Sequence, residues 1–125
     1  HGIGEATAEL FAEHGAAAVY VADIDADGAE EVATRIGDPG VPVTLDVRDA
    51  EALTALRDRV LSDHGRVDVL VNNAGHYLVP TSLEDGTEEH WQGLYDVNFL
   101  HVVRATQSFT VPMLERGRGA VVNVS

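Results

Sequence analysis

The 125-residue sequence predicts an α/β fold, a doubly wound parallel sheet with helices on both faces. Three observations carry that expectation. Helical and strand-like segments alternate along the chain. The strand-like segments are short and apolar throughout, the pattern of strands buried on both faces. Two helices end in the same dipeptide, His14-Gly15 and His64-Gly65, and each leads into an apolar run, as recurring βαβ units require. The crossovers should be right-handed.

The elements follow in order. Ile3, Ala6, Thr7, Leu10 and Phe11 recur at helical spacing, and Gly15 can take the left-handed conformation that ends such a helix. Ala16 to Ala22 is too short for a helix and predicts a buried strand. Asp25 is placed to cap the next helix, whose apolar stripe is Ala29, Val32, Ala33 and Ile36; Gly37-Asp38-Pro39-Gly40 breaks it. Val41 to Leu45 predicts a second strand. Asp49 caps a helix that turns Leu53, Leu56 and Val60 inward and Arg57 and Arg59 outward, and Val67 to Val71 is a third strand. Asn72 to Gly86, with Pro80, is a loop. Thr87 caps a long helix running to about Arg116, with Pro112 near its end. Trp91, Leu94, Tyr95, Val102, Ala105 and Phe109 form its inward stripe, and Phe99, Leu100 and Val103 lie outside it, with His101 and Arg104 nearby. Gly117-Arg118-Gly119 turns the chain into a fourth strand, Ala120 to Val124. No linker or low-complexity tract divides residues 1–125, which should form one domain.

Composition excludes several functions. The formal charge is −13, and all 8 basic residues are arginine. Nucleic acid and anionic membrane surfaces would repel such a chain. Without cysteine there is no disulfide, thiol nucleophile or thiolate metal site. No apolar run approaches the ~20 residues of a membrane span. The start, His1-Gly2-Ile3-Gly4-Glu5, has neither a basic region nor an apolar stretch, so a cytoplasmic setting is expected. The six histidines contain no i, i+4 pair, and no metal site is expected.

Candidate binding residues gather at helix starts and strand ends. Gly2 and Gly4 open a helix where exposed N–H groups would attract phosphate. About 20 residues on, Asp23 ends the first strand; an acid there either accepts ribose hydroxyls of a dinucleotide or faces water. Asp46-Val47 could hold the edge and face of an adenine, or form the turn approaching a helix. Asn72-Asn73-Ala74-Gly75 follows the apolar run Val67 to Val71, its carboxamides able to lock backbone and its Ala and Gly leaving room for a flat ligand. Asn98 falls on the predicted inward stripe of the long helix, where a buried amide must find partners. His76 stands in the loop, within reach of a substrate.

Taken together, these residues resemble the short-chain dehydrogenase/reductase family, of the smaller single-domain type. Gly2-Ile3-Gly4 resembles the end of its Thr-Gly-x-x-x-Gly-Ile-Gly fingerprint, Asp23 its strand-end acid, and Asp46-Val47 its adenine pair. Asn72-Asn73-Ala74-Gly75 matches its Asn-Asn-Ala-Gly motif, Asn98 its helix asparagine, and Pro112 and Gly119 to Ser125 its approach to the catalytic serine. The resemblance implies a Rossmann-like dinucleotide-binding domain over 1–125, partial because the chain corresponds to about the middle half of a member, truncated at both ends. It implies cofactor contacts at His1, Gly2, Ile3, Gly4, Asp23, Ile24, Asp46, Val47, Asn73, Ala74 and Gly75, and a catalytic role for Asn98. The family's Tyr-x-x-x-Lys is absent: residues four after Tyr20, Tyr77 and Tyr95 are Ile24, Thr81 and Phe99, and the chain has no lysine. Ser125 matches the serine just before the catalytic one. The expected function is therefore NAD-dependent hydride transfer to or from an alcohol or ketone in the full-length parent, with this stretch inactive alone. Asp23 favours NAD over NADP. A homodimer or homotetramer through the 88–116 helix is expected, with no nucleic-acid or membrane partner. The alternatives are a non-catalytic dinucleotide-binding or regulatory protein, and an interaction module without cofactor.

Overall fold

The computed structural model describes residues 2–76 and 82–125. The expectations for His1, Tyr77, Pro80 and Thr81 lie outside the described residues. The chain divides into two compact units, His1–Asp46 and Val47–Ser125, and each is built on a βαβ motif.

In the first unit, helix α1 (Ile3–Glu13) precedes strand β1 (Val19–Asp23), helix α2 (Ala26–Ile36) and strand β2 (Gly40–Thr44). β1 and β2 pair in parallel, with Val19 opposite Gly40 and Asp23 opposite Thr44, and the ladder extends to Leu45, whose N–H donates to the Asp23 carbonyl at 2.8 Å. The core is Ala8, Ala29, Val32, Ala33 and Leu45. The strand expected from Ala16 begins three residues later. Gly15 takes φ 83°, its N–H donates to the Ala12 carbonyl, and the Ala16 N–H donates to the Phe11 carbonyl. Those two bonds close the C-terminus of α1, so Ala16 completes the helix cap. Asp25 does occupy the N-cap of α2, but its side chain accepts no capping bond; the Asp25 N–H instead donates to Asp23 Oδ1 at 3.0 Å. Arg35 on α2 reaches Glu5 and Glu9 on α1 as well as Glu31, tying the two helices by charge.

In the second unit, helix α3 (Ala50–His64) leads to strand β3 (Val69–Asn72), helix α4 (Glu88–Tyr95), a π-helical turn (Asp96–Leu100), helix α5 (His101–Glu115) and strand β4 (Ala120–Asn123). β3 and β4 are parallel, with Asn72 opposite Asn123. Asp49 caps α3 as expected, its Oδ1 accepting from the Glu51 and Ala52 N–H groups at 2.9 and 3.1 Å. Gly65 ends the helix in the left-handed conformation. Thr87 caps α4 with an unexpected partner: its Oγ1 accepts from the His90 N–H, and its own N–H donates to His90 Nδ1, both at 3.3 Å. Val67, Phe109 and Met113 form the core, with Leu56, Val60, Leu61, Leu70 and Val121 against them.

The predicted single long helix is interrupted, and its inward stripe is the predicted one only in part. Trp91 and Tyr95 are exposed, while His101, Ala105, Phe109 and Met113 are buried. The π turn inserts one residue into the 3.6-residue frame, so one register does not serve both sides of it: Ala105 and Phe109 of the predicted stripe are buried beyond the turn, while Trp91 and Tyr95 before it are exposed. His101, placed outside by the sequence pattern, is 2% exposed. Arg57 is also not simply outward: it is half-buried and donates to Ser108 Oγ on α5 at 3.3 Å.

Candidate functional site

In parallel α/β sheets, ligands sit beyond the carboxyl ends of the strands. In the first unit, Asp23 is the last residue of β1 and is exposed, Ile24 beyond it is 64% exposed, and Asp46 lies half-buried two residues past β2. The short turn from α1 into β1 sends the two in opposite directions, which brings Gly2, at the start of α1, to the same end as Asp23. Gly2 has φ 65°, a conformation that side-chain-bearing residues rarely adopt, and a Cβ built on it would meet no atom within 4 Å. Ile3 is exposed and Gly4 half-buried in the first turn of α1, with no side chain capping its N-terminus. The call on His1 falls outside the described residues.

In the second unit, Val47 is half-buried before the Asp49 cap, and Asn73, Ala74 and Gly75 leave the carboxyl end of β3. Next to them, the Val124 N–H donates to the Asn72 carbonyl at 3.0 Å, setting Ser125 at the same sheet end. Asn72 is buried, and its Nδ2 donates to Thr106 Oγ1 at 3.2 Å and Asn123 Oδ1 at 2.8 Å, binding β3 to α5 and β4. The roles of Thr106 and Asn123 were not legible, because residues 34 and 51 positions from Asn72 carry no local spacing signal.

Asn98 is exposed, not buried as its stripe suggested, because it stands in the π turn. Its carboxamide grips the chain just past Gly75. Oδ1 accepts from the His76 N–H at 3.0 Å, and Nδ2 donates to the His76 carbonyl at 3.0 Å and to the Leu94 carbonyl at 2.9 Å. All three bonds agree on the orientation of the amide. A Cβ on Gly75 would stand 3.1 Å from Asn98 Oδ1, so glycine is what lets the chain pass this close. One turn later, neither His101 ring nitrogen has a hydrogen-bond partner among the described residues. Leaving such a group unpaired in the interior costs about 1–3 kcal/mol. Burial pushes the His101 pKa below its ordinary value, and the Val97 carbonyl acts in the opposite sense. A groove of about 310 Å³ between α3 and α5 is lined by Arg57, Arg104, Gln107 and Ser108 and shares no residue with the Asn98 cluster.

The comparisons with known proteins agree with this arrangement. A family model described as short chain dehydrogenase matches residues 1–125. The chain is 38% identical to the cis-4-hydroxycyclohexanecarboxylate dehydrogenase of Sinomonas cyclohexanicum, covering 99% of itself and 50% of that protein. It is 36% identical to a 3-oxoacyl-[acyl-carrier-protein] reductase of Thermotoga maritima, covering 99% of itself and 51% of the relative. Among solved structures, a metagenomic short-chain oxidoreductase in complex with NADP superposes with a TM-score of 0.92 at 30% identity, over 100% of this chain and 57% of that one. The chain thus spans about half the length of these relatives. It belongs to the short-chain dehydrogenase/reductase family, whose members are oxidoreductases of Rossmann fold that bind a nicotinamide cofactor. Among the described residues no helix is long and apolar enough to cross a membrane.

Proposed function

We propose that the whole protein transfers hydride between NAD and an alcohol or ketone, and that residues 1–125 are part of its dinucleotide-binding domain. The observation that carries the cofactor choice is Asp23. Its Oδ1 is fixed by the Asp25 N–H, no described residue bonds its Oδ2, and the next residue is the uncharged Ile24. A carboxylate held this way accepts ribose hydroxyls and repels a 2′-phosphate. The residues present fit a nicotinamide cofactor: the open Gly2 turn admits phosphate, and Gly75 passes Asn98 where a Cβ would stand a tight 3.1 Å from its Oδ1. In the first unit His1, Gly2, Ile3, Gly4, Asp23, Ile24 and Asp46 would hold the cofactor; in the second, Val47, Asn73, Ala74 and Gly75 would.

When bound, the cofactor supplies or accepts the hydride. The protein places it and manages the proton. Asn98 holds the His76 backbone and thereby the shape of the Asn73–Gly75 segment, and it serves as the catalytic asparagine of the site. The tyrosine, lysine and serine that complete the family's chemistry are not within this sequence, so residues 1–125 alone have no turnover. The alcohol or ketone class draws on two relatives, one named a cis-4-hydroxycyclohexanecarboxylate dehydrogenase and the other a 3-oxoacyl-[acyl-carrier-protein] reductase. A cytoplasmic setting and association through the 88–116 helix complete the proposal; the Tyr95 and Phe99 rings lie 5.2 Å apart, tilted by 33°, on that helix, both exposed.

The test is cofactor binding to the whole protein. NAD should bind more tightly than NADP, and Asp23→Asn should narrow the gap. A solved relative carries NADP, so the preference rests on Asp23 and not on the family. Equal dissociation constants in the unsubstituted protein would overturn it.

A further inference from the structure

Residues 1–46 hold ten acidic side chains against one arginine, Arg35, and no lysine. This is the unit whose Gly2 turn is proposed above to receive the cofactor's phosphates, and the role of Arg35 rests on that reading. An anionic ligand approaching so acidic a unit is repelled unless the carboxylates nearest to it are paired. The acid closest in sequence to the Gly2 turn is Glu5, and it is the one acid in the first turn of α1. It is the third helical residue after the Gly2 cap, the place from which a glutamate side chain can reach back to the cap N–H. The first bond of α1 runs from the Ala6 N–H to the Gly2 carbonyl at 3.1 Å, so the N–H groups before Ala6 have no acceptor within the helix. Those are the donors a phosphate would use. A carboxylate left beside them competes with phosphate for the same donors and for the positive helix end.

Arg35 stands in the last turn of α2, 30 residues beyond Glu5. Its Nη1 donates to Glu5 Oε1 and, at 3.3 Å, to Glu9 Oε1, while Nη2 donates to Glu31 Oε1 at 2.7 Å. The Arg35 side chain is 43% exposed and that of Glu5 24%. Charge pairs this open add little to stability, because water screens them and ordering two long side chains costs entropy. Fastening α1 to α2 is therefore a small return for the one arginine of residues 1–46. An apolar residue at position 35 could pack between the helices equally well, but it would leave the Glu5 and Glu9 charges unopposed on the helix that begins at Gly2.

We propose that Arg35 is a positioning residue for cofactor binding: by pairing Glu5 it withholds that carboxylate from the start of α1 and leaves the first-turn N–H groups and the positive helix end to the pyrophosphate of the dinucleotide. Arg35 acts through Glu5 and touches no part of the cofactor in this arrangement.

The experiment uses the whole protein and reads the dissociation constant for NAD and the melting temperature without ligand. The variants are Arg35→Met, Arg35→Lys, Glu5→Gln and the double variant Arg35→Met with Glu5→Gln. At about 20 mM salt, Arg35→Met should weaken NAD binding about fivefold, and the loss should shrink at about 0.5 M salt, where the screening length is only about 4 Å. Arg35→Lys, which keeps the charge, should stay within about twofold of the unsubstituted protein. Glu5→Gln should bind NAD at least as well as the unsubstituted protein, and in the double variant it should recover most of the Arg35→Met loss. Melting temperatures should move by no more than about 3 °C. Unchanged affinity in Arg35→Met at low salt overturns the proposal. So does a loss that persists in the double variant, because Arg35 would then act by fastening α1 to α2, a tie that Glu5→Gln also weakens. If the unsubstituted protein binds neither NAD nor NADP, the cofactor reading fails and the role of Arg35 with it; NAD binding that is indifferent to position 35 removes only the role of Arg35.

Discussion

Asn98→Ala is the most direct test of the clamp between the π turn and the chain past β3. The substitution removes three hydrogen bonds, of 3.0, 3.0 and 2.9 Å, two to His76 and one to Leu94. A neutral hydrogen bond contributes about 0.5–1.5 kcal/mol net, and an exposed one lies at the low end because water replaces the lost partner. Three bonds at that low end give about 1.5 kcal/mol, close to a tenfold change in the opening of the segment. The His76 N–H is itself one of the donors, so its exchange rate reads the opening directly. In the whole protein, Asn98→Ala should raise His76 amide exchange about tenfold while the Val71 and Asn72 amides within β3 change little. Asn98→Asp keeps the acceptor for His76 but sets a charged oxygen against two carbonyl oxygens, and should be no milder. A His76 rate within twofold of wild type in both variants would refute the reasoning, since the observed bonds would then carry no energy.

Two further outcomes are expected. Gly40→Ala should destabilise by about 1–3 kcal/mol, the usual cost of overpacking, because a Cβ there would lie 2.8 Å from Ile36 Cγ1 and closer still to the Ala33 carbonyl; an unchanged urea midpoint would contradict the packing of α2 on β2. The depressed pKa of His101 makes the unfolded chain bind the extra proton first, so stability should fall as pH drops through 6.5, and the Tm difference between pH 7.5 and pH 5.5 should shrink in His101→Leu.

Local chemistry determined much of this protein. Asp49 and Thr87 cap the helices they precede, Gly15 and Gly65 end helices with positive φ, and the apolar runs pair as parallel strands. Each of these depends on residues within about five positions of one another, so each is legible in a linear sequence. The strand-end position of Asp23 and the loop position of Asn73–Gly75 were readable for the same reason, and the family was readable because such motifs recur in a set order.

The tertiary structure decided what depends on distant neighbours or on helical frame. Ala16 was claimed by the cap of α1 and not by β1, because its N–H had a better-placed acceptor in Phe11. Asn72 found its partners in Thr106 and Asn123 across the β3–β4 pair and α5. Above all, the π turn decided that α4 and α5 do not share one inward register. A hydrophobic pattern assumes 3.6 residues per turn from one end of a helix to the other. One inserted residue breaks that assumption: His101 lies in the interior, Trp91 and Tyr95 are on the surface, and Asn98, a supposed core amide, is the clamp on His76.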